Sequence, residues 1–506
     1  MTGSKFVPVR VVAAAIVALC AMRASAQATV QSVAQIGQAA PGGSAFASFN
    51  GISVNNQGQV GFNAGLSSGL SGHYRGTPAA RALIAREGQT APDGNGVLDP
   101  LFAGSSINAA GDIAFVADLT GTTGGANDNR AVYRGNGGPL TTIARENQNA
   151  PDGNGQFSTF LGPLLNDAGQ VAFHGTLRNS AAGNADNTGL FIGLGGAVST
   201  LVREGQDIPL GTGKFGGFSP GALNDAGQLA FHSNLSGVPL NEGDRGIFRT
   251  AAAGVTQIAR RGELAPDGNG RFEFISFTAP TINSSGQVLF TTDLAGTANG
   301  AADNSGLFIG SGGPVSQVAR ERQDAPDGNG RIFSILGAEL ASSGRATFDA
   351  LLANTAGGTT DDRAIYQGTG GTLTTIVREG QQAPNGNGTF SGIIDFDASA
   401  SGQVAFVGVL TGTAGGATNG TALFFYDEAA GGLVEILRRG TPLFGSTVTD
   451  VTLGDLNALN DVGQFAFQYN LANGQSGIAL ATVPEPASLA AVALPIALLA
   501  RRRRLA

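Results

Sequence analysis

The stretch Asn166-Asp-Ala-Gly169-Gln-Val-Ala-Phe173 returns in degraded form from one end of the chain to the other, and a chain built on one repeated unit has few folds open to it. Copies begin at Asn55, Asn108, Asn166, Asn224, Asn283 and Asn460, with Ala341 and Ser399 in the same slot of two more. The first half of the motif has the chemistry of a tight turn, with Asn capping it and Gly closing it. The second half, Gln-Val-Ala-Phe, alternates apolar and polar residues and reads as a strand.

A second recurrent stretch, apolar-Ala-Arg-Glu-Gly-Gln-x-Ala-Pro, sets the period. Its arginine falls at Arg86, Arg145, Arg203, Arg260, Arg320, Arg378 and Arg438, with Gln35 as a degenerate eighth copy, at intervals of 51 to 60 residues. A unit of about 57 residues in a strand-rich chain points to a propeller blade. In the unit after Arg145 the strand candidates are residues 157–165, 170–177, 189–193 and 198–203. The 29 Phe supply a core, and the 80 Gly and 20 Pro fit many tight turns.

The phase of the repeat decides how the units join. The chain opens with a fourth-strand type at residues 29–36 and ends with a third-strand type at residues 477–483, so the first strand completes the last sheet. The expected fold is all-β: an eight-bladed β-propeller of four-stranded antiparallel blades, thirty-two strands over residues 29–483, closed by the N-terminal strand. A seven-bladed ring with an irregular extra unit and an open β-solenoid are the alternatives; closure is favoured because it removes unpaired sheet edges. This order places the loops after the fourth strand and those between the second and third on one face. That face is long-looped and acidic, and it is the expected binding face.

The ends read as export signals. Lys5 and Arg10 precede an apolar run at residues 11–21, and Ala24-Ser-Ala26 gives the small-x-small pattern for cleavage after Ala26 by signal peptidase. The only cysteine, Cys20, lies in this segment, so the processed chain is expected to lack disulfides and cysteine chemistry. Removing both ends leaves 22 basic against 36 acidic residues, with Lys214 the only lysine, which argues against nucleic acid as a partner. The division is residues 1–26, signal peptide; 27–483, propeller; 484–506, tail.

The tail carries Pro484, Glu485 and Pro486, an apolar run at residues 489–500, and then Arg501, Arg502, Arg503 and Arg504. Residues 488–500 extend only about 20 Å as a helix, short of a hydrocarbon core of about 30 Å. In this order the tail resembles the PEP-CTERM sorting signal of Gram-negative bacteria. The resemblance implies that Pro484, Glu485 and Pro486 are read by an exosortase and that the tail is a transient inner-membrane anchor. It also implies placement at the cell surface or in the extracellular matrix. The repeats are similar to the tandem Asn-x-x-Gly-x-x-Ala-Phe family found with such tails; Ala341 and Ser399 depart at the Asn, and Leu289 and Thr347 at the Ala.

Candidate sites have structural readings beside them. The Asp-Gly-Asn-Gly loops, through Asp93, Asn95, Asp152, Asn154, Asp267, Asn269, Asp327 and Asn329, offer hard oxygen donors that suit calcium. The same residues suit tight turns. The loops with Leu210-Gly-Thr-Gly and with Asn385 break the pattern, and turn chemistry is favoured. The recurring arginine is expected to be structural, bound to loop carbonyls or carboxylates. His174 and His232 share a slot without a third ligand, and His73 stands alone. No nucleophile elbow, phosphate loop or His-Glu-x-x-His occurs, so no catalytic residue and no enzyme activity are assigned. The reading is an exported binding or structural module for polysaccharide or matrix material. The alternative is a secreted polysaccharide hydrolase or lyase with carboxylates in the propeller funnel.

Overall fold

The computed structural model describes residues 28–484, apart from 241, 252–253 and 275–278. They form eight antiparallel sheets, and in all but the last, which the N-terminal strand completes, the strands follow in chain order from the axis outward. Blade 3 is representative: Gln156–Leu165 innermost, then Val171–Arg178, Thr188–Gly193 and Ser199–Arg203 at the rim. The remaining innermost strands are Phe46–Val54 in blade 1, Val97–Gly104 in blade 2, Lys214–Leu223 in blade 4, Arg331–Leu340 in blade 6, Thr389–Ala398 in blade 7 and Ser446–Leu453 in blade 8. Blade 5 departs from the plan, its inner position being two short pieces, Arg271–Phe272 and Thr281–Ile282, both paired with Val288–Ala295. Blade 8 carries one further short strand, Pro442–Leu443.

The ring closes through the head of the chain. Thr29–Gln35 is the outermost strand of blade 8, antiparallel to Ser476–Thr482, with Thr29 opposite Thr482 and Ala34 opposite Ile478. Val33 sits at a bulge in this pairing and is fully buried. Eight closed sheets exclude the seven-bladed and open alternatives.

The second strand corrects the expected alternation. Val171, Ala172 and Phe173 are all buried, because each blade is covered on both sides. Val171 and Phe173 pack toward blade 2 with Val116 and Ile143, whereas Ala172 packs toward blade 4 with Phe215 and Phe231. A large residue on one side and a small one on the other lets consecutive blades nest. Burying each such Phe stabilises the fold by roughly 2–3 kcal/mol.

The Asn-x-x-Gly turn does more than turn the chain. In Asn166, Oδ1 accepts from Gln170 N at 2.8 Å, which caps the turn, and Nδ2 donates to Asn224 O of the next blade at 2.9 Å. The same bridge runs from Asn55 to Asn108 O, Asn108 to Asn166 O, Asn224 to Asn283 O, Asn283 to Ala341 O, and Asn460 to Asn55 O. A belt of asparagines therefore circles the short-turn face, interrupted where Ala341 and Ser399 have no amide to offer. Gly169 serves the belt twice: its φ of +76° suits the turn, and a Cβ there would collide with Arg134 Nη1 of the preceding blade. That guanidinium donates to the Gly169 carbonyl.

Candidate functional site

Two regions carry functional groups: the long-loop face and the axis. On the face, each Asp-Gly-Asn-Gly loop meets the loop between the second and third strands of the next blade, as the strand order requires. Asn329 Nδ2 donates to Asp361 at 2.8 Å, and Asn95, Asn154 and Asn269 make the same bond to Asp128, Asp186 and Asp303. The recurrent arginine locks this junction. Arg378 Nη1 reaches both carboxylate oxygens of Asp327 at 2.8 and 2.7 Å, Nη2 donates to Asn329 O at 2.7 Å, and Nε donates to Asp361 O at 3.0 Å. Arg145, Arg203 and Arg320 hold Asp93, Asp152 and Asp267 in the same way.

The residues named as possible calcium ligands are thus brought together with a guanidinium among them. Asn95, Asn154, Asn269 and Asn329 are committed on both amide atoms, since Oδ1 accepts a backbone N–H from the facing loop in each. Hydrogen bonds from Ser180 and Asn154 hold the Asp186 carboxyl below the usual range. Burial alone would raise Asp303, but bonds from Asn299, Thr297 and Asn269 outweigh it and hold it well below. In the variant loop Asn385 replaces Asp, and Arg438 turns to Glu435, which also accepts from Asn385 at 3.0 Å. Among the described residues no group of three or more His, Asp or Glu is arranged to hold a metal ion. Burial lowers His73 and His232 to about 4, so both are neutral core residues at physiological pH. The cleavage point after Ala26 and the tail from Glu485, including Pro486 and Arg501 to Arg504, lie outside the described residues.

The axis holds the groups that the loop network does not consume. Five residues before the motif position, Asn50, Ala103, Leu161, Ser219, Leu336 and Ile394 on the inner strands, and Asp455 just beyond the end of another, are exposed. Phe102 and Phe333 are exposed farther toward the long-loop face, 40% and 61%, and Arg130 lies over the Phe102 ring at 4.9 Å. Toward the short-turn face the wall of blades 6 to 8 turns acidic. Asp397 accepts from Ala458 N and Leu459 N of the next blade, and Asp455 from Gly51 N and Ile52 N at 3.0 and 2.7 Å. Glu339 is exposed to channel solvent, and the protein crowded around it, with Asp397 adding repulsion, raises its carboxyl above the usual range. Burial raises Asp397 to about 7, against its backbone hydrogen bonds, and Asp395 is raised with Asp455 contributing. Glu339 and Asp397 occupy the slot two before the motif position, where the other blades carry Ser53, Ser106, Leu164, Ala222, Thr281 and Ala458. That contrast between sister units is the signal by which the pair was findable.

A model of one protein family matches residues 14–272 and again 235–490, so that together the two matches run almost from end to end. The chain belongs to DUF7453, a family of unknown function. The overlap of the matches is what tandem units produce, and the DUF7453 ring described above consists of such units. A search of curated proteins returns no match. Among solved structures, the β-propeller domain of the Trilobed protease from Pyrococcus furiosus shares 12% identity, with 78% of this chain and 100% of that one covered and a TM-score of 0.38. An oligogalacturonate lyase in complex with manganese shares 12%, covering 91% and 99%, with a TM-score of 0.38. The acylaminoacyl peptidase of Pyrococcus horikoshii shares 11%, covering 83% and 57%, with a TM-score of 0.39.

Proposed function

We propose that this DUF7453 chain is an exported module of the cell surface or extracellular matrix that binds polysaccharide at the mouth of its central channel. The observation that carries the reading is the exposed set at the axis, where Phe102 and Phe333 offer flat apolar surfaces above the hydrogen-bonding Asn50, Asp395 and Asp455. Sugar rings present apolar faces and hydroxyl edges, and such a wall complements both. The loop carboxylates Asp93, Asp152, Asp267 and Asp327 are spent on arginines, which moves the binding surface from the acidic loops to the axis. Export rests on residues 1–26 and on the tail Pro484, Glu485, Pro486 with Arg501 to Arg504, handled by signal peptidase and an exosortase. The closing strand begins at Thr29, so cleavage after Ala26 spares it. Among the described residues no helix is long and apolar enough to cross a membrane; the apolar run at 489–500 lies outside them.

Titration of the protein with bacterial exopolysaccharides tests the proposal. One or more should bind, and Phe333→Ala should weaken binding about tenfold, or ~1.4 kcal/mol, with an unchanged melting temperature. Binding that ignores Phe102→Ala and Phe333→Ala refutes the axial site. A second reading, polysaccharide cleavage, is favoured by Glu339 alone, a carboxyl on the channel wall raised in the direction that general-acid work requires. New reducing or unsaturated ends that vanish in Glu339→Gln would establish it.

A further inference from the structure

At the rim between blades 4 and 5 lies a groove of about 370 Å³, apart from the axial site and independent of its function. Its walls are Leu210, Ile258, Leu264, Pro266, Phe272 and Val315. Two of these break the repeat in the same direction. Leu210 stands where sister loops carry Asp93, Asp152, Asp267 and Asp327, and Leu264 where they carry Thr90, Asn149, Asp207, Asp324 and Gln382. They come from different loops, one entering blade 4 and one leaving it, yet they line one groove and are 62% and 59% exposed.

The polar group in the groove breaks the repeat as well. Glu263 replaces the glutamine found at Gln89, Gln148, Gln206, Gln323 and Gln381, where a neutral amide oxygen accepts the arginine N–H. Glu263 accepts from Arg260 N at 2.9 Å and from Gln257 Nε2 at 2.8 Å, while the Arg260 guanidinium is turned to the carbonyls of Gly243, Leu210 and Thr212. Gln257 Oε1 is buried without a hydrogen-bond partner. The groove thus presents a carboxylate and an unsatisfied amide oxygen, both acceptors, among apolar walls; partial burial raises the Glu263 carboxyl against its hydrogen bonds and the charge of Arg260. Gln317 of blade 5 is also unpartnered, but there the loop positions are Asp267 and Asp324, and the apolar walls are missing.

We propose that the groove between blades 4 and 5 binds a small organic ammonium, a compact apolar body carrying a protonated amine whose N–H groups meet Glu263 and Gln257. Titration calorimetry of the intact chain with phenethylamine, 2-phenylethanol and 3-phenylpropionate tests it. Phenethylamine should bind at one site per chain, the alcohol about tenfold more weakly and the carboxylate not measurably. Glu263→Gln, Leu210→Asn and Leu264→Asn install residues that sister loops carry, so the fold is expected to tolerate them. The first should abolish the preference for amine over alcohol, and the other two should weaken amine binding about tenfold. No saturable binding, equal affinity for amine and alcohol, or binding indifferent to all three substitutions overturns the proposal.

Discussion

Replacing Asn166 by Ala removes one link of the asparagine belt and the side-chain cap of its turn, while the turn's backbone hydrogen bond remains. The turn survives because Ala341 already occupies that slot in blade 6, where Gly344 N still donates to Ala341 O at 3.0 Å. Three hydrogen bonds disappear: Nδ2 to Asn224 O at 2.9 Å, Nδ2 to Gln170 Oε1 at 2.8 Å, and Gln170 N to Oδ1 at 2.8 Å. At about 1 kcal/mol net for each bond, with a buried carbonyl left short of a donor, the expected loss is about 2–4 kcal/mol. The reciprocal change, Ala341→Asn, fills a natural gap by offering an amide to Ser399 O. It should stabilise by no more than about 1 kcal/mol, since ordering the side chain offsets part of the gain. Urea unfolding followed by far-ultraviolet circular dichroism reads both, the chain having no tryptophan. If Asn166→Ala shifts stability by less than about 0.5 kcal/mol, a typical surface substitution, the belt does not hold the blades and the reasoning fails.

The remaining expectations use the same protein. Arg203→Ala strands the carbonyls of Asp186 and Asn154 along with Asp152, and should cost about 2–4 kcal/mol in urea unfolding; Asp152→Asn, at a side chain 43% exposed, should cost under about 1 kcal/mol. Because arginine sits on Asp93, Asp152, Asp267 and Asp327, millimolar calcium and chelator should leave the melting temperature unchanged; a rise of several degrees with calcium would show that the metal displaces the guanidinium. Glu339 and Asp397 hold their protons more tightly folded than unfolded, so their contribution is complete below pH about 4 and is lost as pH rises through about 7 for Asp397 and 8 for Glu339. Glu339→Gln and Asp397→Asn should therefore raise the melting temperature relative to the parent at pH 8.5 and leave it alike at pH 4; no difference between the two pH values would contradict the assignment.

Architecture was written in the repeat because two periodic signals, Asn-x-x-Gly and the arginine stretch, fall on strand ends that a propeller places at fixed positions. The residues 157–165, 170–177, 189–193 and 198–203 correspond to observed strands within one residue at each end. The inter-blade bridge of Asn166 was not legible, since its local role as a turn cap already accounts for the residue. The arginine was recognised as structural and bound to loop carbonyls or carboxylates, but not which loop supplies them, because Asp327 and Arg378 lie 51 positions apart in chain order. The axial carboxyls were hidden for a different reason: Glu339 and Asp397 are exceptions to the unit, and a motif search reads what units share. Leu264 and Glu263 escaped in the same way, and Leu210 was visible only as a break in the loop pattern, not as a groove wall.

The strand at residues 29–35 emerges from the ribosome ahead of every other strand of the ring, and its neighbours in the sheet emerge near the end, with Ser32 and Tyr469 separated by 437 positions. Until that late segment arrives, the beginning of the chain has no ladder to join and the last blade lacks its rim. Circular order thus makes maturation an all-or-nothing event at the level of the whole body. Any truncation ahead of residue 476, by a premature stop or a protease, leaves two sticky margins instead of a shorter but sound molecule.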